Sequence, residues 1–176
     1  MESYLLHPDE KRTLLPVVAL YGANAAGKSN VLHAIMTVRN MITGEASKLS
    51  KGQKLPWEPF GGCDQPTTFE IMYIYRKVRY VYGFSFDAKK IYTEYLYHWP
   101  NGREALVFSR ENGSYEFREN VAEQTTLAGR TSDNKLYLVS SNDWNLPQTE
   151  NAYRWFLENL TFVMEQIGRA SCRERV

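Results

Sequence analysis

The sequence predicts an α/β fold, in which a strand–loop–helix unit is followed by an antiparallel β-meander. Three observations carry that prediction. An apolar run, Leu14 to Tyr21, leads into Gly22-Ala23-Asn24-Ala25-Ala26-Gly27-Lys28-Ser29, which fits G-x-x-x-x-G-K-[ST], the pattern of a phosphate-binding P-loop. Apolar residues then recur at helical spacing as far as Ile42. From Thr67 the period changes to alternation, and short runs rich in Tyr, Phe and Trp are separated by turn signals.

The first unit spans 14–44. Val17, Val18, Ala19 and Leu20 are too continuously apolar for a half-exposed strand, which places them at the centre of a covered parallel sheet. Val31, Ile35, Val38 and Ile42 mark one face of the helix after the loop, with His33, Thr37 and Asn40 elsewhere on the wheel. Gly44 is a helix stop. The residue types between strand and helix carry a chemistry. Gly22 lets the chain leave the strand in a tight turn, and Gly27 removes a side chain where backbone N–H groups must approach a phosphate. Those N–H groups, running through Ala23, Asn24, Ala25 and Ala26 to the helix N-terminus, form a nest for anionic oxygens. Lys28 sets a point charge against the β/γ-phosphates and is the catalytic candidate. Ser29 offers a hydroxyl to Mg²⁺, an ion that takes few protein ligands and keeps water and phosphate oxygens as the rest.

Around this unit the chain reads in order. Met1 to Arg12 is short, mixed and charged, a ragged start. Glu45 to Pro66, with Gly52, Pro56, Pro59, Gly61, Gly62 and Pro66, is a long loop. The β subdomain spans 67–119. Phe69, Ile71, Tyr73 and Tyr75 share one face of a strand, and Tyr80, Tyr82, Phe84 and Phe86 share a face of the next after a basic turn at Arg76 to Arg79. Tyr95, Tyr97 and Trp99 continue the theme in Ile91 to Trp99. Pro100-Asn101-Gly102 is a turn, and Ala105 to Ser109 and Ser114 to Arg118 are strands around Asn112-Gly113. The aromatic stripe reads either as a stacking platform for nucleic acid or as cross-strand core packing, and the second is the commoner use. Asn120 to Asn134 is polar and irregular, Leu136 to Val139 is a short strand or helix turn, and Glu150 to Leu160 is helical with Ala152, Trp155, Phe156 and Leu160 on one side.

Composition narrows the classes. At 176 residues, 43% hydrophobic and 23% charged, the chain is long enough for one domain with a core of its own. A formal net charge of +1 makes no overall electrostatic case for nucleic acid. No apolar run reaches membrane-span length and no signal peptide opens the chain, so the expected setting is cytoplasmic, without a membrane partner. Cys63 and Cys172 have no metal or redox spacing. The segment from Ile167 to Val176, IGRASCRERV, crowds Arg169, Arg173 and Arg175 together and reads as a translated frame of a common sequencing adapter. On that reading the natural domain occupies 1–166 and continued beyond it, 167–176 is artefact, and the net charge without it is −1.

A P-loop ATPase also needs an acidic residue at the end of a hydrophobic strand. Asp64, Asp133 and Asp143 follow turn or polar residues. Asp87 ends Tyr80 to Phe86 but is followed by Ala88 rather than Glu, which makes it a hairpin-end residue. His33 reads as a surface residue and His98 as a strand residue.

YGANAAGKSNVLHAI resembles the Walker A of prokaryotic AAA-family ATP-binding proteins related to the OLD, RecF and SMC branch of ABC-type ATPases, whose loop typically reads GANxSGKSN. TTFEIMYIYRKVRYVYGFSFDAKKIYTEYLYHWPNGREALVFSR resembles the β-rich insertion of these proteins, and LYLVSSNDWNLPQTENAYRWFLENL the segment leading to their helical arm. The likeness covers roughly residues 10 to 166 and departs at Ala26, where the family commonly has Ser. It implies an incomplete ABC-ATPase-like P-loop NTPase head with an antiparallel β-meander subdomain. It further implies that Gly22, Asn24, Gly27, Lys28, Ser29 and Asn30 bind ATP with Mg²⁺, and that two heads sandwich the nucleotide as a head-to-head homodimer. The signature motif, the Walker B Asp-Glu and a late His would all lie beyond Gln166, so the chain alone should be inactive. By the same resemblance the parent protein hydrolyses ATP in phage defence or DNA maintenance. Two rival readings are a P-loop kinase or GTPase, against which stand the long aromatic meander and the lack of an N/T-K-x-D run, and a non-catalytic aromatic β interaction module with a vestigial P-loop.

Overall fold

The computed structural model describes residues 5–9 and 12–162. Its elements are β1 (Leu6–Asp9), β2 (Arg12–Leu14), α1 (Lys28–Thr43), β3 (Thr67–Tyr75), β4 (Val78–Phe86), β5 (Ile91–Trp99), β6 (Ala105–Glu111), β7 (Ser114–Phe117), α2 (Val121–Ala128), α3 (Tyr137–Asp143) and α4 (Pro147–Glu158). The segment 167–176, read from sequence as adapter, lies outside the described residues.

The body is a five-stranded antiparallel sheet in the order β3-β4-β5-β6-β7, with the helices packed on one face. The turns dictate that meander. Arg76 and Lys77 both have positive φ (50° and 66°), as do Asn112 and Gly113 (46° and 86°), the mirror-image geometry whose twist matches paired strands. The register sets Tyr73 opposite Tyr80, Tyr82 opposite Leu96 and Phe84 opposite Phe69, so these side chains share the helix-facing side. Tyr80, Tyr82, Phe84, Phe86, Ile91, Leu96 and Phe108 are buried there against Val38, Met41 and Ile42 of α1 and Phe156 of α4. Core packing is therefore the use of the β4 aromatics. Asp87 is a turn residue: its carboxylate accepts the backbone N–H groups of Lys89 and Lys90 and the hydroxyl of Tyr92. Burial would raise its pKa, and those donors outweigh burial and lower it.

Four expectations are corrected. Within Met1 to Arg12, read as a ragged start, Leu6–Asp9 is a strand that pairs antiparallel with Arg12–Leu14. Residues 120–134 are not irregular throughout. They contain α2, entered from Asn120 in the left-handed region and held by buried Gln124 and Leu127. Tyr95, Tyr97 and Trp99 do not join the core. They lie on the opposite side of β5, and the core-facing set is Glu94, Leu96 and His98.

The fourth correction matters most. Residues 15–23 form no strand, and Val17, Val18, Leu20 and Tyr21 are 77%, 70%, 54% and 91% exposed. Among the described residues every sheet pairing is antiparallel, and none involves this segment. A strand exists only through a ladder with a neighbour. The five-stranded sheet offers edges only at β3 and β7, and neither is paired with residues 15–23. The apolar pattern is real, but the partners that would cover it are not among the described residues.

A buried ion pair joins the sheet to α3. The Glu94 carboxylate, fully buried, accepts the Tyr82 hydroxyl at 2.9 Å and the backbone N–H groups of Tyr137 and Leu138 at 2.6 and 2.9 Å. These are the first N–H groups of α3, which has no cap from its own N-cap residue, Leu136. Arg110, 3% exposed, lies 4.0 Å from Glu94 and donates to the carbonyls of Lys135 and Asp133, fixing the loop that leads into α3. Burial pushes the Glu94 pKa up, while Arg110, the two N–H groups and Tyr82 pull it back.

Candidate functional site

The octet forms a compact turn at the start of α1. The N–H of Ala26 reaches the carbonyl of Ala23 at 3.3 Å. Ala25 has φ 63° and Gly27 has φ 82°. Left-handed backbone at a residue with a Cβ costs about 1 kcal/mol, and such strain gathers at ligand-holding loops. Gly27 takes the same region at little cost because it lacks a Cβ, and it is the N-cap of α1. Its carbonyl accepts the N–H of Asn30 at 3.0 Å. No side chain caps the helix and its first turn holds no acidic residue. The N–H groups of Lys28 and Ser29 and the positive end of the helix dipole are therefore open to an anion, while that of Asn30 is held by Gly27.

Lys28 folds back over this turn. Its ammonium donates to the carbonyls of Gly22 and Ala23 at 2.7 and 2.6 Å, which sets the one cation of the octet beside the loop's backbone. Positive charge and N–H dipoles thus converge on one small region, an arrangement suited to phosphate oxygens.

Every residue assigned from sequence falls in this region. Ala23, Asn24, Ala25 and Ala26 are exposed on the turn, Gly27 and Lys28 are half-buried, and Ser29 and Asn30 are exposed on the first turn of α1. Gly22 departs from its expected part. Its φ is not positive, and an added Cβ would meet Ala26 and Lys28 at 3.5 Å or more, ordinary contact. The turn is made at Ala25 and Gly27 instead, and Ala25 is the strained position that sequence reading missed. His33 is exposed, as expected. It lines, with Asn30, Thr37, Asn40, Phe69 and Phe86, a groove of about 980 Å³ between α1 and the sheet. Asp87 belongs to its own turn and joins neither the octet nor that groove. Among the described residues no group of three His, Cys, Asp or Glu side chains could hold a metal, and no helix is long and apolar enough to cross a membrane.

The family described as "AAA domain, putative AbiEii toxin, Type IV TA system" matches residues 17–165, which contain the octet, the whole five-stranded sheet and the three helices after it. No curated protein and no solved structure matches the chain.

Proposed function

The chain belongs to this AAA domain family, and from that premise we propose that residues 22–30 bind the phosphates of ATP and that the protein of which they are part hydrolyses it. Membership makes ATP-binding ATPase chemistry the general expectation. The observation that carries the assignment to these residues is the convergence of the Lys28 ammonium, the left-handed Gly27 and the uncapped N-terminus of α1.

In this reading the backbone N–H groups from Ala23 to Lys28 take the β-phosphate, and Lys28 exchanges its carbonyl partners for β- and γ-phosphate oxygens. Asn24 and Asn30 flank the site. Ser29 would hold Mg²⁺. A single hydroxyl is a sparse protein contribution, which fits an ion that draws its other ligands from phosphate and water. Bound there, Mg²⁺ would neutralise charge on the transferring phosphate. The chain's own residues do the holding: they fix the phosphates, orient the γ-group and keep a positive field against it.

Turnover needs a water-positioning carboxylate as well, and we place it, with the signature motif and an opposing head, outside residues 1–166. We assign the parent protein to the OLD, RecF and SMC-related branch and to a head-to-head homodimer, working in the cytoplasm. We place the parent protein in phage defence or DNA maintenance, on its resemblance to that branch.

The experiment is a titration of wild type and Ser29→Ala with ATP, with and without Mg²⁺. The variant should lose about tenfold in affinity with Mg²⁺ present and little without it, since the hydroxyl serves the metal first. Equal losses under both conditions would remove Ser29 from the metal.

A further inference from the structure

The side of the sheet away from the helices carries a groove of about 780 Å³. Every residue that lines it comes from β3 to β6 or the turn before β6. Its floor is Tyr95, Tyr97, Trp99, Val81 and Met72, and Met72 is 59% exposed. This composition is unusual for a solvated sheet face, where alternation normally sets polar residues outward. Tyr, Trp, Met and Arg are instead the residues enriched where proteins bind one another.

The face is preorganised. Gly83 sits at the middle of β4 opposite Tyr95, and the Tyr95 ring lies across it: a Cβ on Gly83 would come within 2.3 Å of Tyr95 Cζ. The ring can therefore cross β4 and donate its hydroxyl to Glu70 on β3 at 2.5 Å. At the other end the Arg79 guanidinium stacks on Trp99 at 3.5 Å. The rim is acidic, with Glu70, Glu104 and Glu111 all exposed. Of the two arginines at the groove, Arg79 is committed to Trp99, and Arg110 is 3% exposed and donates toward the opposite face.

We propose that this outer face is a docking surface for a basic segment of a partner protein, with Lys or Arg side chains lying on Tyr95 and Tyr97 and paired to Glu70, Glu104 and Glu111. Charge complementarity decides the occupant. Three exposed carboxylates around π-faces attract organic cations and repel a phosphate backbone. The aromatic platform that suggested nucleic acid in the sequence is thus turned by its rim toward a cationic protein. This surface is independent of the nucleotide loop.

The test uses the 176-residue chain and a fluorescent octalysine peptide followed by anisotropy. Saturable, salt-weakened binding is expected, with affinity falling about tenfold in Tyr97→Ala and by a similar factor in the double variant Glu70→Gln, Glu104→Gln. The double variant alters only exposed side chains and should melt with the wild type, so its loss cannot come from unfolding. Gly83→Ala should displace the Tyr95 ring and weaken the peptide too. No saturable binding, or wild-type binding by the double variant, overturns the proposal. Binding of a single-stranded oligodeoxynucleotide in place of the peptide also overturns it, in favour of a nucleic-acid face. Self-association abolished by the same variants, without peptide binding, overturns it in favour of a contact between copies.

Discussion

Lys28→Ala is expected to weaken ATP binding by roughly a hundredfold or more, and to abolish turnover in the protein that hydrolyses it. The octet supplies many backbone dipoles but a single full positive charge. That charge already stands at the loop, 2.7 and 2.6 Å from the carbonyls of Gly22 and Ala23. Alanine removes both the counter-charge for the β/γ-phosphates and the two hydrogen bonds that tie α1 back to the start of the loop. Lys28→Arg should not rescue the loss. A planar, longer guanidinium cannot reproduce a compact ammonium held between two adjacent carbonyls. Calorimetric titration of wild type and both variants checks this, and wild-type affinity in Lys28→Ala would end the assignment.

Glu94→Ala should destabilise the fold by about 3–5 kcal/mol. The substitution strips the first N–H groups of α3 of their acceptor, orphans the buried Tyr82 hydroxyl and leaves the buried Arg110 charge with only the exposed Asp133 carboxylate, 3.9 Å away. Against a stability of order 5–15 kcal/mol for a domain, this is enough to bring the chain near unfolding. Replacing both partners, with Glu94→Leu and Arg110→Met, should recover much of the loss, because neither residue then leaves a buried charge behind. Urea unfolding of Glu94→Leu, Arg110→Met and the double variant gives the coupling directly. A cost under 1 kcal/mol for Glu94→Ala would mean that the carboxylate does not hold α3. A pH dependence follows as well. The folded pKa of Glu94 is raised, so the native state keeps this proton at a pH where the unfolded chain has lost it. The group's contribution is complete below about pH 4.5 and declines as pH rises through the folded value.

How much of this was legible in the sequence depended on whether the signal was local. Gly22 to Ser29, the helix to Thr43 with its stop at Gly44, and the strands from Thr67 to Phe117 could be read because turn chemistry and periodicity act within a few residues. Asn112-Gly113 fixed one hairpin, whereas the helix read as Glu150 to Leu160 runs from Pro147 to Glu158. What was missed depends on distant partners. The pairing of Gly83 with Tyr95 sends Tyr95, Tyr97 and Trp99 outward and turns Glu94 and His98 inward. No alternation rule foresees that choice when the inward set contains a carboxylate. Glu94 is acceptable there only because Arg110 and α3, far along the chain, meet it. The same logic governs 17–20. Its composition is that of a covered strand, but coverage is a property of neighbours, and among the described residues none pairs with it. In the loop, the glycine pattern located the turn but not the strain at Ala25, which appears only in the backbone angles.

In the proposed function the backbone from Ala23 to Asn30 receives phosphate, and amide chemical shifts report that contact without an intermediary. The ¹⁵N-labelled chain should be titrated with Mg-ATP, with inorganic triphosphate and with adenosine. Saturable shifts confined to the amides of Ala23 to Asn30 are predicted for ATP and triphosphate, with adenosine leaving them in place. The same shifts should vanish in Lys28→Ala. Unmoved loop amides at saturating Mg-ATP, or shifts centred elsewhere in the sheet, would contradict the account.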